Sequence, residues 1–312
     1  MLIVNSKNES LDYVLNAGKT VNEADNSWGE VFESIICEAW NNKGKVPGDS
    51  RYAAELKSHK LSPETVYKNI YTSLKSKMKS AGSLRKLPNS EAEVTQEWIE
   101  LGRYKEFDAT PNNTPKTDII SDNGKFRISV KESTGARLMS GAMSETMATL
   151  LAAATDKDRE KLLNLLDSLI GLKTRARING TTKSVLNRLK GKDSSDDPDE
   201  AAIIRINAIK TEIDNMLKSI SSEMRNAILI EAASGAVKFG KDSPACANYI
   251  LTWDPKTGDC ELTDVKEFIK SHGDKYKIKT AYKSSSVKMK DPATGKEVKT
   301  GQYDSWMVMS IT

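Results

Sequence analysis

Asp118 and Lys131 stand near opposite ends of a stretch that reads as two short strands. Lys116 to Ser121 and Lys125 to Lys131 are joined through Asp122, Asn123 and Gly124, a connection that favours a hairpin. Antiparallel pairing brings the start of the first strand level with the end of the second. A carboxylate and an ammonium converging there can serve hydrolysis of a phosphodiester. The carboxylate helps hold a divalent cation, and the lysine orients water and offsets the charge that develops on phosphorus. Period-two alternation sets Ile128 and Val130 on one face of the second strand and Ser129 and Lys131 on the other.

The rest of the chain restricts the metal. His59 and His272 are the two histidines and read as surface residues, while Cys37, Cys246 and Cys260 are odd in number and widely spaced. Neither a zinc cluster nor a disulfide framework is supported, so a metal here should be hard and oxygen-liganded. The 312 residues are 38% hydrophobic and 29% charged, the balance of a globular protein with one large domain or two ordinary ones. No run approaches about eighteen uncharged apolar residues, and the opening MLIVNSKNES is too briefly apolar for a signal peptide. A cytoplasmic location with no membrane partner is therefore expected. The absence of a P-loop or a glycine-rich dinucleotide fingerprint argues against nucleotide hydrolysis.

Net charge is only +4, but it is unevenly spread: from Lys43 to Lys86 eleven basic residues face three acidic ones. Such a segment suits a phosphate backbone, with Lys68, Lys75 and Lys79 as candidate nucleic-acid contacts and Tyr52, Tyr67 and Tyr71 available for stacking. A merely solvated face would have the same composition.

The elements that must position these residues follow from caps and periodicity. Ser27 and Glu30 have capping-box spacing ahead of Val31, Phe32, Ile35, Ile36, Ala39 and Trp40. A second helix starts at Ser62, Pro63 and Glu64, presents Val66, Ile70, Leu74 and Met78, and stops at Gly82. A short helix is expected from Ser90 to Leu101. After the hairpin, Leu138 to Thr155 reads as a helix with Leu138, Ala142, Glu145, Thr149 and Ala152 on one side. Arg137 and Ser140, at its start, are candidate phosphate contacts. Further helices are expected over 158–173 and 200–232, an exposed loop over 191–200, and β-compatible runs over 248–253, 276–282 and 306–311.

This ordered set resembles the PD-(D/E)xK nuclease superfamily, in which an Asp on one strand and an acid-x-Lys triplet on the next form a metal site. The triplet here is Ser129, Val130, Lys131, with serine in the acid position, and Thr117 precedes Asp118 in place of the literal proline. One group of restriction endonucleases in the superfamily carries that serine and supplies the missing carboxylate from the following helix, fourteen positions after the lysine. That position is Glu145. Gly29 to Glu33 likewise resembles the GxxxE helix of archaeal junction resolvases, which marks Glu33 as a further catalytic acid.

The resemblance implies an α/β, restriction-endonuclease-like fold with a mixed sheet flanked by helices. It divides the chain into an N-terminal segment (1–26), a nuclease core (27–155), a helical portion (156–235) and an α+β portion (236–312) able to complete the core sheet. It implies a DNA endonuclease dependent on Mg²⁺, with Mn²⁺ as a substitute, leaving 5′-phosphate and 3′-hydroxyl ends. Asp118, Glu145 and the Val130 carbonyl would hold the metal, beside Lys131. DNA is the expected partner, and a homodimer is compatible. A glutamate kept for chemistry contributes little packing, so removing Glu145 should leave the fold intact. The serine at 129 also leaves open a nucleic-acid-binding or structural protein of the same fold without chemistry.

Overall fold

Helix α1 (Trp28–Asn41) buries Phe32, Ile35, Ile36 and Ala39 at the intervals read from the sequence. It opens the computed structural model, which describes residues 28–133, 137–168 and 175–312. Ser27 and the 1–26 segment lie outside the described residues, as does the end of the helix expected over 158–173. After α2 (Tyr52–Ser58) comes α3 (Pro63–Lys75), with proline in its first turn and the Ser62 hydroxyl accepting from the Thr65 amide. It ends before Gly82, at Lys75, and Met78 reaches the same core from the turn that follows.

The chain continues through β1 (Leu84–Lys86), α4 (Gln96–Leu101), β2 (Ile119–Ser121), β3 (Arg127–Glu132), β4 (Met139–Gly141) and α5 (Met143–Ala153). Then follow α6 (Asp156–Asp167), β5 (Arg175–Asn179), α7 (Thr182–Arg188), α8 (Pro198–Ser219), α9 (Ser222–Ser234) and α10 (Ala236–Phe239). The last elements are β6 (Tyr249–Trp253), β7 (Cys260–Asp264), α11 (Val265–His272), β8 (Ile278–Lys290) and β9 (Glu297–Ile311). No helix among the described residues is long and apolar enough to cross a membrane.

Strands β1-β2-β3-β6-β7 form a five-stranded sheet, antiparallel except for the parallel pair β3–β6. The expected β2–β3 hairpin is present, with Ile119 opposite Ile128. On one face α1 and α3 pack Phe32, Ile36, Val66 and Ile70 against Ile119, Ile128, Leu251 and Trp253. On the other, α5, α9 and α11 pack Met147, Ile228 and Phe268 against Ile250. Neighbours Ile250 and Leu251 thus enter opposite cores, as the pleat requires. The fold is α/β, a mixed sheet flanked by helices. Strands β6 and β7 extend the sheet begun by β1 to β3, while β9 builds a second sheet in the order β4-β9-β5, with β8 also paired to β9.

Four expected elements differ, the first being the short helix expected from Ser90, which begins only at Gln96. Residues 139–141 are not the start of a helix: β9 captures them, pairing Met139 with Ile311 and Gly141 with Met309, so the helix begins only at Met143. The helix over 200–232 is two helices, because the Ser221 hydroxyl caps α9 by accepting from the Met224 amide. The runs at 276–282 and 306–311 are the roots of a far longer hairpin, β8–β9.

Candidate active site at the hairpin end

Asp118 immediately precedes β2, fixed by its own amide donating to the Ile128 carbonyl at 2.9 Å and its carbonyl accepting from the Leu87 amide at 3.0 Å. The bond to Ile128 steps one residue out of the β2–β3 register, in which Ile119 already faces Ile128, and it leaves Asp118 beside Ser129. Its Oδ2 accepts from the Val130 amide at 2.6 Å and from the Ser129 hydroxyl at 3.3 Å. Burial raises the carboxyl's pKa, while the charge of Lys131 and the bonds from Val130 and Ser129 pull it down. Ile128 and Val130 belong to the core under α1 and α3, so Ser129 and Lys131 face the other way, as the alternation predicts. Lys131 is half-buried. Serine suits the expected acid position here, because it gives Asp118 a donor where a glutamate would set a second negative charge beside it.

Glu33 reaches this end of the sheet from α1 and is ion-paired to Lys86 at 2.9 Å. Burial raises its pKa first and the charge of Asp118 raises it further, against the pull of Lys86. The two carboxylates therefore share one electrostatic environment. Lys86, counted within the basic segment, is occupied in holding Glu33.

Glu145 lies in the first turn of α5, inside an adjoining polar interior. Its Oε2 accepts from Trp98 Nε1 at 2.9 Å and the Tyr104 hydroxyl at 3.0 Å, and its Oε1 is ion-paired to the buried Lys238. Glu231 accepts from the Val237 and Lys238 amides at 2.9 and 3.1 Å, and burial raises its pKa. The Lys116 ammonium, bonded to the Leu138 carbonyl at 3.3 Å, links the two regions. Burial lowers its pKa to about 8, assisted by Lys238 and Lys131 and opposed by Glu145 and Glu231. Glu145 is thus the counter-ion of a buried lysine, and the expectation that its removal leaves the fold untouched is corrected: it would strand a buried charge.

Asp118 and Glu33 carry oxygen donors of the kind a hard cation takes. Among the described residues no hydrogen bond reaches Asp118 Oδ1 or Glu33 Oε1. Thr117 precedes Asp118 in the sequence, and its Oγ1 is buried without a partner among the described residues, an orphan of the kind that calls for a polar neighbour. No group of three or more His, Cys, Asp or Glu able to hold a metal occurs among the described residues. The remaining shell would come from water and main-chain carbonyls such as that of Val130, as Mg²⁺ commonly allows.

The other sequence candidates are dispersed. Ser140 is not at a helix N-terminus but pairs with Ser310 on β4, its hydroxyl buried without a partner among the described residues, and Arg137 is exposed just before it. Lys68, Lys75 and Lys79 are exposed. Tyr67 cannot stack on bases: it is fully buried and its hydroxyl bonds Glu38. His59 is exposed and stacks on Trp28, centroids 3.8 Å apart. Lys116, Lys238, Trp98, Tyr104 and Glu231 were not foreseen. Lys238 lies 93 positions from Glu145 and carries no local signal of the pairing. No protein-family model, curated protein or solved structure matches this chain.

Proposed function

We propose that the chain is a divalent-cation-dependent phosphodiesterase acting on DNA, with Asp118, Glu33 and Lys131 at its centre, and that its sheet is a restriction-endonuclease-like core. The observation that carries this reading is the convergence at one hairpin end. There a buried aspartate is clamped by the Val130 amide and its pKa, raised by burial, is lowered by the charge of Lys131, while burial and then the charge of Asp118 raise the pKa of Glu33.

Asp118 and Glu33 would hold Mg²⁺ or Mn²⁺, which when bound supplies a polarised phosphate and a more acidic water. Val130 and Ser129 fix the Asp118 carboxylate, so its geometry is set before substrate arrives. Lys86 steadies Glu33. Lys131 orients the attacking water and offsets charge on the phosphoryl oxygens. Glu145 is then a positioning residue: through Lys238 it sets the charge around Lys116, two residues before Asp118.

The rival reading is a DNA-binding protein of this fold without hydrolysis, and one observation favours it. Both oxygens of Glu145 are taken, so the carboxylate expected to replace the acid at 129 is closed to a metal. Incubating the purified chain with supercoiled plasmid and Mg²⁺ or Mn²⁺ separates the two. Nicking that EDTA abolishes supports the phosphodiesterase, and intact plasmid in both metals rejects it.

A further inference from the structure

Strands β8 and β9 form a hairpin whose root is buried and whose tip is not. Met307, Val308, Met309 and Ile311 are in the core, β4 covers 309–311 and β5 covers 302–306. Past Gln302 neither strand has an outer neighbour among the described residues, so the hairpin continues as a two-stranded ribbon. The sequence Asp-Pro-x-Thr-Gly closes both this hairpin, at Asp291–Gly295, and the β6–β7 hairpin, at Asp254–Gly258. Both turns bond the glycine amide to the aspartate carbonyl, at 2.8 and 2.7 Å, and both glycines have positive φ, +67° and +74°. Their surroundings differ. A Cβ at Gly258 would meet Val66 at 2.6 Å, whereas nothing lies within 4 Å at Gly295. One turn is docked and the other stands clear.

The free tip is basic on one face and apolar on the other. Register pairs Lys288 with Lys299 and Lys290 with Glu297, and pairs Met289 with Val298 on the opposite face. Met289 and Val298, 55% and 43% exposed, are the exposed large hydrophobic residues among those described. The tip's two acids are engaged: Asp291 accepts from the Ala293 amide and Thr294 hydroxyl, and Glu297 pairs with Lys288 at 3.0 Å. Lys290, Lys296 and Lys299 have no ion pair among the described residues. A bare ribbon is marginal in water and invites strand addition. Its charge and width suit another occupant, since the major groove of duplex DNA admits a two-stranded ribbon, and apolar side chains contact thymine methyls or wedge between base steps.

The root of the ribbon is bonded to the helix that carries Glu145. At its root the Met309 amide donates to the Thr146 hydroxyl at 3.2 Å, next to Glu145, and the Leu138 amide donates to the Ile311 carbonyl at 3.0 Å. Arg137 lies close enough to Lys283 on β8 to lower its pKa, after burial, so basic side chains continue along the path. From Thr280 to Met289, the partners of Met309 and Val298, β8 extends ~30 Å at about 3.3 Å per residue, with a bulge between Ser286 and Lys288.

We infer that the β8–β9 tip, Lys288 to Lys299, is a duplex-DNA arm that enters a groove, with lysines on phosphates and Met289 and Val298 toward the bases. This rests on the proposed action on DNA and makes its substrate double-stranded. The test uses the full chain in EDTA, where binding is read without cleavage, with a duplex of about three helical turns and one of its strands alone. Lys290, Lys296 and Lys299 changed together to Ala should weaken duplex binding at least ~tenfold and lower the log–log salt slope by about 2.7, while altering single-strand binding less. Met289→Ser with Val298→Ser should weaken duplex binding at an unchanged salt slope. An unaltered slope in the lysine variant overturns the arm. So does a change of oligomeric state in the Met289 and Val298 variant with duplex binding intact, which would make the ribbon a contact between copies. Arm-dependent duplex binding without plasmid cleavage would uphold the arm and reject the phosphodiesterase; Asp118-dependent cleavage indifferent to the arm would do the reverse.

Discussion

Val130 donates its amide to Asp118 Oδ2 over 2.6 Å, so the strand that carries Lys131 also holds the carboxylate whose pKa Lys131 lowers against burial. The backbone of one strand sets both groups, and neither can shift without the other. Asp118→Asn keeps an oxygen for the Val130 amide and removes only the charge. Calorimetric titration of Mg²⁺ should therefore show affinity at least ~tenfold weaker, because a charged ligand is lost, with the unfolding transition retained. Unchanged affinity would remove Asp118 from the site.

Glu145 and Lys238 form a buried ion pair. Glu145→Ala should destabilise the chain by about 3–5 kcal/mol in urea unfolding, since it leaves Lys238 unpaired near Lys116. Adding Lys238→Met should recover much of that loss. A Glu145→Ala change within about 0.5 kcal/mol of wild type would show that the pair carries no weight.

Ser129→Glu tests why serine stands where an acid is expected. The new carboxylate would sit beside Asp118 in a buried position. Without metal it should lower Tm, through desolvation and like-charge repulsion. With Mg²⁺ it should gain more stability than wild type, because the cation relieves both. Equal Mg²⁺ dependence of Tm in the two proteins would contradict a cation at this position.

Burial pushes the Cys37 thiol up to about 12, with Glu33 adding to the shift, and the Cys246 thiol up to about 11. Raised values mean less thiolate at a given pH. Against an ordinary value of 9.0, Cys246 should carry about 100-fold less thiolate at mildly alkaline pH. Iodoacetamide should modify native Cys246 slowly there and progressively faster as pH rises, followed by mass. Labelling as fast as in urea would show that the thiol is not enclosed.

Local signals made part of this legible. Ser62 and Pro63 start α3 where the sequence places a helix, and the polar joint at Asp122 to Gly124 turns the β2–β3 hairpin. Strand alternation placed Ser129 and Lys131 on one face because period two needs no tertiary partner. What failed was non-local. Nothing in Met139 to Gly141 announces pairing with Met309 to Ile311, and it is β9 that overrides the helical pattern there. The closure of Glu145 depends on Lys238, Trp98 and Tyr104, brought in by α10, α4 and the turn after it. The Ser221 cap was readable, but the even spacing of isoleucines across it concealed the break. The length of β8–β9 was hidden because its outer half has no buried face to impose alternation.

Plasmid nicking in Mg²⁺ by wild type, Asp118→Asn and Lys131→Ala, beside duplex binding by the same three proteins in EDTA, is the most direct test of the central claim. Both variants should lose at least ~100-fold in cleavage rate, the scale of removing a group that acts on the transition state, with duplex binding changed less than about threefold. Cleavage at the wild-type rate in both variants would contradict the assignment of the hairpin end as the active site.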